Sequence, residues 1–578
     1  MREEAGKVRT AVVLVVTCLA VVSGSTYYVA TTGNDTNPGT LDRPWQRIGK
    51  AASTMVAGDS VLVRGGVYYE SVNPAQSGTE SDQITYAAHD TESVFVDGSE
   101  VITGWVQDSG SRYRASVSFT CDPRFSTVRD PNGNYGGLVT QNGAKLQYAM
   151  ELSVAAVDSP GEYYMNDSAS PPFTLYACVR DLGQGLDPNN YEMRLGRRRK
   201  GFDLDGGKDW LVVDGITFRN YNDNAIHSIG STDCVFRRLT LHTDFITGIY
   251  LTSGSNRCLI ERCAFWDNGH GGIELASTNK TTVRKNRFLK RDLGDGCGGN
   301  GAHMWLGPVG ALADSNLIEN NVAFATGRQG FRGPFIAVAG SYNIIRHNSI
   351  ITSGMGGIVL LDGGNNAIIN NALDMSDAMH GIGVFPDAVS DGGHVITGNC
   401  FYALDPTAKF WWDNVKYNSV AEWESAGAQT GNIDSVPGFL SPDSEDLHLA
   451  QGSACIDHGT ADSAATEDFD GNLRPQGAGF DVGAFEYVAI GAAERTMCDG
   501  RATRNAGPTV ARGVLWVEDG GRKTADGAEL LDISGRKVLD LKPGANDVRG
   551  LRAGVYFVRE RVAVGGERST VHKVILTD

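Results

Sequence analysis

Three aspartates with similar spacing are the first residues whose pattern suggests chemistry. Asp223, Asp244 and Asp267 are separated by 21 and 23 residues, and each stands shortly before an apolar strand. Stacked carboxylates repel one another unless a cation or an arginine lies between them. The pattern therefore predicts a Ca²⁺ site built from hard oxygen ligands. The alternative is that each aspartate accepts backbone hydrogen bonds within its own turn.

A glycine-rich stretch carries the second group. Residues 294–307 read GDGCGGNGAHMWLG and contain His303 and Trp305. A histidine with a pKa of about 6.5 can act as a base at neutral pH, and Arg328 or Arg332 would supply positive charge. The alternative is that the histidine and the tryptophan on this loop form a sugar-stacking platform without catalysis.

Two basic runs offset an acidic composition. RRRK occupies residues 197–200, and KTTVRKNRFLKR at 280–291 brings Lys290 and Arg291 next to the glycine-rich stretch. On one face these side chains would attract a polyanionic chain. The alternative is that they belong to a solvated outer face.

The elements that must position these residues form a repeat between about residues 210 and 400. Its period of about two dozen residues, with short β-branched strands, is typical of a parallel β-helix whose coils lie about 4.8 Å apart. Five consecutive asparagines in one column predict a ladder of buried amides. Cys234 and Cys258 also share a column, where they would pair or simply pack. The aligned positions are Ile216, Leu239, Cys263, Asn286, Asn321, Asn348, Asn371 and Asn399.

The ends of the chain have different patterns. Residues 27–70 read as a strand, a turn, an amphipathic helix after Pro44 and a further strand, which indicates a helical cap. Residues 101–200 break the period as an irregular excursion, and 434–487 look like a closing segment. We therefore predict an all-β protein: a right-handed parallel β-helix over residues 26–490 with an N-terminal helical cap. A linker and a small C-terminal β-sandwich follow at 491–578.

Composition limits the location and the partners. Residues 1–25 have a charged start and a short apolar run, as in a signal peptide, so we expect a secreted or cell-surface protein without a membrane span in the mature chain. The formal net charge of −17 argues against nucleic acid as a partner.

Several stretches resemble known families. YYVATTGNDTNPGTLDRPWQRIGKAAS, FWDNGHGGIEL and the glycine-rich stretch, in this order, resemble family 9 pectate lyases. LLDISGRKVLDL, LRAGVYFVRE and VHKVILTD near the C-terminus are similar to sorting domains read by the type IX secretion system. The resemblance implies an exported polysaccharide lyase that cleaves a uronate-containing chain by calcium-assisted β-elimination.

The resemblance also implies roles for single residues. The family's last calcium-binding acid is replaced here by Gly271, so Glu274 or Asp295 would have to substitute, and the family's catalytic lysine is replaced by His303. The predicted calcium ligands are Asp244, Asp267 and Asn268. The predicted catalytic residues are His303 and Arg332. The predicted substrate contacts are Arg328, Trp305, Lys290 and Arg291.

Two other functions remain open. A glycoside hydrolase on the same scaffold would use paired carboxylates such as Asp267 and Glu274. A noncatalytic glycan-binding or cell-surface protein is favoured by the missing lysine and the missing acid.

Overall fold

The computed structural model describes most of the chain in two compact units, Met1–Val488 and Ala489–Asp578. No helix among the described residues is both long and apolar enough to cross a bilayer. In the first unit the described residues are 24–118, 138–148, 153–166, 172–269, 271–290, 303–308, 310–325, 334–352, 356–375, 381–403, 410–427 and 430–488. In the second they are 509–511, 514–517, 528–532, 536–541, 544–547, 554–561 and 569–576.

Three long sheets wind into a right-handed parallel β-helix, which confirms the predicted fold. The chain passes from the first sheet to the second, then to the third, and returns to the first one coil later. The strands of the first sheet are Thr26–Val29, Ser60–Val63, Ile84–Ala88, Leu211–Asp214, Val235–Arg237, Leu259–Glu261, Thr282–Arg284, Leu317–Glu319, Ile344–Arg346, Ala367–Ile369 and Val395–Thr397.

The second and third sheets continue each coil. The strands of the second sheet are Gly66–Tyr68, Val94–Asp97, Thr217–Arg219, Thr240–His242, Ala264–Trp266, Arg287–Lys290, Val322–Ala325, Ser349–Thr352, Ala372–Met375, Cys400–Ala403 and Ile433–Asp434. Those of the third are Phe202–Leu204, Ile226–Ile229, Thr247–Thr252, Gly271–Ala276, Met304–Leu306, Pro334–Ala339, Gly356–Asp362, Ile382–Val384, Phe410–Trp412 and Val415–Tyr417. The last strand pairs antiparallel with the one before it.

The core consists of apolar columns that run along the solenoid axis. Successive side chains of a strand point to opposite faces, so the middle residue of a three-residue strand faces inward. In the first sheet this places Phe236, Ile260 and Val283 in one buried column, in register from coil to coil. Phe265 and Phe288 stack in the same way in the second sheet, with ring centroids 4.8 Å apart.

The predicted asparagine ladder is present at the corner between the first and second sheets. Each amide Nδ2 donates to the Oδ1 of the next coil at 2.9–3.0 Å, and the ladder extends by one rung to Asn432. A second ladder joins Asn316, Asn343 and Asn366 at the corner that precedes the first sheet, with Nδ2 to Oδ1 distances of 3.1 Å. Buried amides that satisfy one another in this way fix the register of the coils.

Helices cover both ends of the apolar core. The predicted N-terminal helix is Ile48–Thr54, which buries Ile48, Ala51 and Ala52. At the other end the helix Val420–Ala426 buries Trp423 against the ring of Phe410, at a centroid distance of 4.8 Å. A short helix, Pro386–Asp391, lies between two coils.

The excursion between the early coils has its own apolar core, which includes Trp105, Tyr163 and Leu175. The described strands form two small, mostly antiparallel sheets. One consists of Ser99–Val101, Val139–Gln141, Ala144–Lys145 and Met193–Gly196; the other consists of Val106–Ser109, Arg112–Val117, Gln147–Tyr148, Glu162–Asn166 and Phe173–Cys178.

Residues 434–488 lie along the outer face of the second sheet rather than across the end of the stack. The hairpin Phe439–Ser441 and Asp446–Leu449 shares an apolar cluster with Phe324 and Ile351 of that sheet. The segment therefore covers the later coils of the second sheet.

The cysteine and C-terminal predictions have different outcomes. Cys234 and Cys258 are both buried and do not form a disulfide, so they pack as apolar side chains.

The C-terminal unit contains two small sheets. Their strands are Thr509–Ala511, Ala528–Asp532, Lys537–Leu541, Gly554–Arg561 and Ser569–Leu576 in one, and Val514–Val517 and Gly544–Asp547 in the other.

Candidate glycan site

The three predicted calcium ligands, Asp244, Asp267 and Asn268, lie in turns between the second and third sheets. In three successive coils the described residues of these turns are 220–225, 243–246 and 267–269, and in the next coil His303 directly precedes the third-sheet strand Met304–Leu306. Adjacent coils place these turns side by side, so the fold does bring Asp267, Asn268 and His303 to one corner of the solenoid.

The predicted column of three aspartates is wrong. Arg219, His242 and Trp266 are in register at the ends of the second-sheet strands. Counting onward from them, Asp267 aligns with Thr243, whereas Asp244 aligns with Asn268, and Asp223 occupies neither position. The three carboxylates therefore do not stack, and each has its own environment.

Asp244 is completely buried. Its Oδ1 accepts a hydrogen bond from the Tyr221 backbone N–H at 2.9 Å, whereas no described residue hydrogen-bonds to Oδ2. Burial raises the pKa of the Asp244 carboxyl well above its usual value, although the Tyr221 N–H and the Lys145 ammonium oppose this effect. Lys145 Nζ, from the excursion, donates to the Asp244 backbone carbonyl at 2.8 Å, a contact that the sequence did not indicate.

Asn268 also has a structural role. Its Oδ1 accepts from the Asp244 backbone N–H and its Nδ2 donates to the Leu241 carbonyl, both at 3.1 Å. A calcium ligand must direct its oxygen at the ion. In this conformation Asn268 Oδ1 already accepts from the Asp244 N–H, whereas Asp244 Oδ2 has no hydrogen-bond partner among the described residues but is fully buried. Their assignment as metal ligands stays a prediction.

A small cleft lies at this corner. Its space of about 200 Å³ includes open solvent at its mouth. Asp267, whose φ is 54°, and Asn268 line it together with His303, so three predicted site residues border one space. The other lining residues are Phe265, Trp266, Gly271, Gly272 and Leu289.

His303 is held by both its backbone and its ring. Its carbonyl accepts from the backbone N–H groups of Gly272 and Ile273 at 2.9 and 3.1 Å. The imidazole packs against Phe335 at a centroid distance of 5.2 Å. A Cβ at Gly272 would stand 2.6 Å from the Phe288 ring, so only glycine fits beside this histidine. The catalytic role of His303 stays a prediction.

The outer face of the third sheet adjoins the cleft. One row of side chains on this face runs in register through Asp203, His227, Tyr250, Glu274 and Trp305, and we call it the outer row. Trp305, predicted as a sugar platform, is partly exposed there. The row continues through Ala337, Val359, Gly383 and Trp411.

A charged cluster stands at the first coil of the outer row. Ligand atoms of Asp203, Asp205 and His227 lie within 4.8 Å of one another, which makes this a possible metal-binding group. Lys200 Nζ already contacts both aspartates, at 3.3 Å from Asp203 Oδ1. Burial, with Lys200 nearby, lowers the pKa of His227. Burial alone would raise the pKa of Asp205, but the hydrogen bonds from Lys200 and His227 lower it.

Most described side chains of the basic runs form ion pairs with acids. Arg284 pairs with Glu261 on the first sheet at 2.8 Å, and Lys285 is buried 3.0 Å from Glu467. Arg199 pairs with Asp223 at the first coils. These contacts favour the alternative in which the runs serve structural surfaces rather than a polyanion site.

Several predicted residues fall outside the described part of the chain. They are Arg291, Asp295, Arg328 and Arg332, together with the side chain of Lys290, whose backbone ends a second-sheet strand. Their roles stay predictions.

A histidine and tryptophan pair beside the cleft was not predicted. The rings of His242 and Trp266 stack at a centroid distance of 4.7 Å and an angle of 16°. Burial, with Arg219 nearby, lowers the pKa of His242 to about 4. The sequence signal was weak, since both residues simply end strands that are one coil apart.

Comparisons with known proteins agree with the fold. The family described as "Pel9A-like, right handed beta helix region" matches residues 27–144, and the family described as "Right handed beta helix region" matches 201–373. Over 76 residues the chain is 38% identical to pectate lyase PEL9 of Emericella nidulans, a match that covers 13% of this chain and 18% of the relative. Over 79 residues it is 34% identical to the uncharacterized protein YwoF of Bacillus subtilis, a match that covers 14% of this chain and 17% of the relative.

Solved structures share the scaffold at low identity. The structure of XylC with xylose superposes with a TM-score of 0.53 at 17% identity, over 67% of this chain and 70% of that one. The crystal structure of pectate lyase Pel9A gives a TM-score of 0.44 at 14% identity, over 80% of this chain and 96% of that one. The chain thus matches less than a fifth of the length of either curated relative, and the structural likeness shows the fold alone.

Proposed function

We propose that this protein is a polysaccharide lyase that cleaves a uronate-containing glycan by β-elimination at the corner cleft. The observation that carries the proposal is the convergence of Asp267, Asn268 and His303 on one space beside an open sheet face. The 38% identity with a segment of a pectate lyase supports the same class of substrate.

The chemistry assigned to the cleft is proton abstraction beside the uronate carboxylate. The His303 imidazole takes the C5 proton, and the C5–H electron pair becomes the C4–C5 double bond. The C4–O bond breaks with its electrons on the leaving oxygen, which takes a proton from water. Arg332 stabilises the negative charge that develops on the carboxylate, while Arg328, Lys290 and Arg291 hold neighbouring acidic sugars. Trp305 stacks against a sugar ring.

Calcium would bind the uronate carboxylate and withdraw charge from it. Among the predicted ligands only Asp267 presents a carboxylate to the cleft in this structure. We therefore assign no step to the ion, and the predicted calcium dependence becomes a direct question for experiment.

The test follows the unsaturated product. Incubation with pectate or alginate, with and without added calcium, should increase ultraviolet absorbance as the double bond forms. His303→Gln should abolish this signal, whereas His458→Gln, an exposed histidine in the segment packed on the second sheet, should retain it. Absence of the signal across uronate polymers and across pH would remove the lyase assignment.

A glycoside hydrolase is the second candidate, because Asp267 lines the cleft and Glu274 lies on the strand that begins there at Gly271. This enzyme would release reducing ends without unsaturation. Its activity would be lost in Asp267→Asn or Glu274→Gln.

We also propose that the protein is exported and that its C-terminal unit is read by the type IX secretion machinery. The apolar start and the C-terminal sequence pattern support this location. Fusing residues 489–578 to a reporter in a host with that machinery should direct the reporter to the cell surface or the medium.

A further inference from the structure

We propose that the outer row of the third sheet, from Asp203 to Trp305, binds uncharged sugar residues of the polysaccharide. The inference rests on the proposed function only in taking the ligand to be a polysaccharide. It adds a substrate class: chains in which uncharged sugars flank the residue held at the cleft.

The first argument is the geometry of the rings. Tyr250 and Trp305 lie on the same outward row with Glu274 between them, so their Cα atoms are separated by two coil spacings, about 9.6 Å. Both side chains are partly exposed, whereas the neighbouring Ile249 and Leu251 are fully buried. Partly exposed aromatic rings on a rigid sheet offer flat apolar surfaces to the faces of sugar rings.

The second argument is charge. Among the described residues at the first coil of the row, the two carboxylates of Asp203 and Asp205 face the one ammonium group of Lys200, and farther along the Glu274 carboxylate accepts a hydrogen bond from Thr247 Oγ1 at 3.2 Å. That ammonium is already in contact with both aspartates, so it is not available to neutralise a ligand. A uronate would meet like charge on this face, which disfavours it. Sugar hydroxyls, in contrast, donate hydrogen bonds to carboxylates.

The third argument is the orientation of His227. Its Nδ1 lies 2.6 Å from Asp205 Oδ1, which fixes the ring, and the ring lies 5.3 Å from that of Tyr250. No described residue hydrogen-bonds to its Nε2. A fixed imidazole next to an aromatic ring provides one directional hydrogen bond to a sugar hydroxyl at this end of the row.

The side chains of the row also indicate how far along the sheet the sugar-binding surface extends. Beyond Trp305 the next three positions of the row are Ala337, Val359 and Gly383, which offer neither rings nor charges, and the next ring, Trp411, lies four coils away from Trp305. On the side facing the cleft, Trp305 stands two residues after His303. The uncharged subsites therefore extend from the cleft toward the first coils of the solenoid.

Titration calorimetry with the full chain tests the proposal. The probes are a xylo-oligosaccharide, a galacto-oligosaccharide and an oligogalacturonate. We expect an uncharged probe to bind with an affinity that added salt does not change, and Tyr250→Ala to weaken it about 3- to 10-fold. Tyr342→Ala, which removes a tyrosine ring that is 61% exposed elsewhere, should leave the affinity unchanged.

Thermal unfolding of each variant separates lost binding from lost folding, and Tyr250→Phe provides a variant that keeps the ring. The proposal is overturned if no uncharged probe binds, or if Tyr250→Ala and Glu274→Gln, both folded, bind it like the wild type. It is also overturned if the uronate probe binds this row through a divalent cation held by Asp203, Asp205 and His227. Loss of unsaturated product alone would refute the lyase assignment and leave these binding outcomes unaffected.

Discussion

The outer faces of the first and third sheets share one geometry and differ in chemistry. On the first sheet, residues in register on adjacent coils pair opposite charges, as in Arg284 with Glu261 at 2.8 Å and Arg346 with Glu319 at 2.7 Å. On the third sheet the corresponding row alternates rings and carboxylates, with Tyr250, Glu274 and Trp305 on successive coils.

This difference separates structural surfaces from candidate ligand surfaces. Charges that satisfy one another across the coil spacing leave little for a ligand to gain, because binding would first have to break the pairs. Rings with partial exposure keep apolar area that a ligand can cover. The same solenoid thus carries one face of paired charges and one face with partly exposed rings, to which we assign the glycan.

The largest expected effect is on catalysis at the edge of the third sheet. His303→Gln should lower the rate of product formation by about 10²- to 10⁴-fold, because it removes the proposed base. Glu261→Gln on the first sheet is the matched substitution and should leave the rate unchanged. Equal rates for the His303→Gln and Glu261→Gln variants would contradict the proposal that the edge of the third sheet, and not the first sheet, carries the catalytic site.

The next effect concerns the ladder at the edge of the first sheet. Asn321→Ala should lower the free energy of unfolding by about 2–3 kcal/mol, because it leaves the buried amides of Asn286 and Asn348 without a rung. Chemical denaturation measures this change. Asn190→Ala, at an exposed turn, should cost less than about 1 kcal/mol, and a similar cost at both sites would argue against a structural ladder.

The His242 and Trp266 stack beside the cleft predicts a dependence on pH. In the unfolded chain His242 binds a proton near pH 6.5, whereas in the folded protein its pKa is about 4. Stability should therefore fall as the pH decreases from about 6.5 to about 4, with a contribution from this residue of roughly 2–3 kcal/mol at the lower end. His242→Phe should reduce this decline, which denaturation at several pH values would measure. An unchanged decline would mean that other groups cause it.

The smallest effect is expected for one ion pair of the first sheet. Arg284→Gln should lower the free energy of unfolding by about 0.5–1 kcal/mol, since the pair is partly exposed to solvent. Glycan affinity should not change, which calorimetry with the probes above would check. A clear loss of affinity would extend the binding surface to the first sheet.

The asparagine ladder was predictable because each amide bonds to its counterpart one coil away, so spacing alone reveals it. The second ladder was equally visible: Asn316, Asn343 and Asn366 each stand five residues before a member of the first. An alignment anchored on one position left it unnoticed.

The aspartate column failed for a reason that the sequence contains. Leu239 follows Ile216 by 23 residues, but Asp244 follows Asp223 by only 21, so these two acids belong to different positions of the coil. Lys145 was beyond prediction, because its approach to Asp244 depends on how the excursion packs against the solenoid. Periodicity reports register within the coils and says nothing of contacts made by an inserted segment.

The most direct test of the central claim is a crystal structure of the protein with a bound oligosaccharide that contains both uronate and uncharged residues. The account predicts a uronate at the cleft of Asp267 and His303, with uncharged sugars over Trp305 and Tyr250 along the third sheet. A chain bound along the first sheet, or one with uronates over Tyr250 and nothing in the cleft, would contradict it.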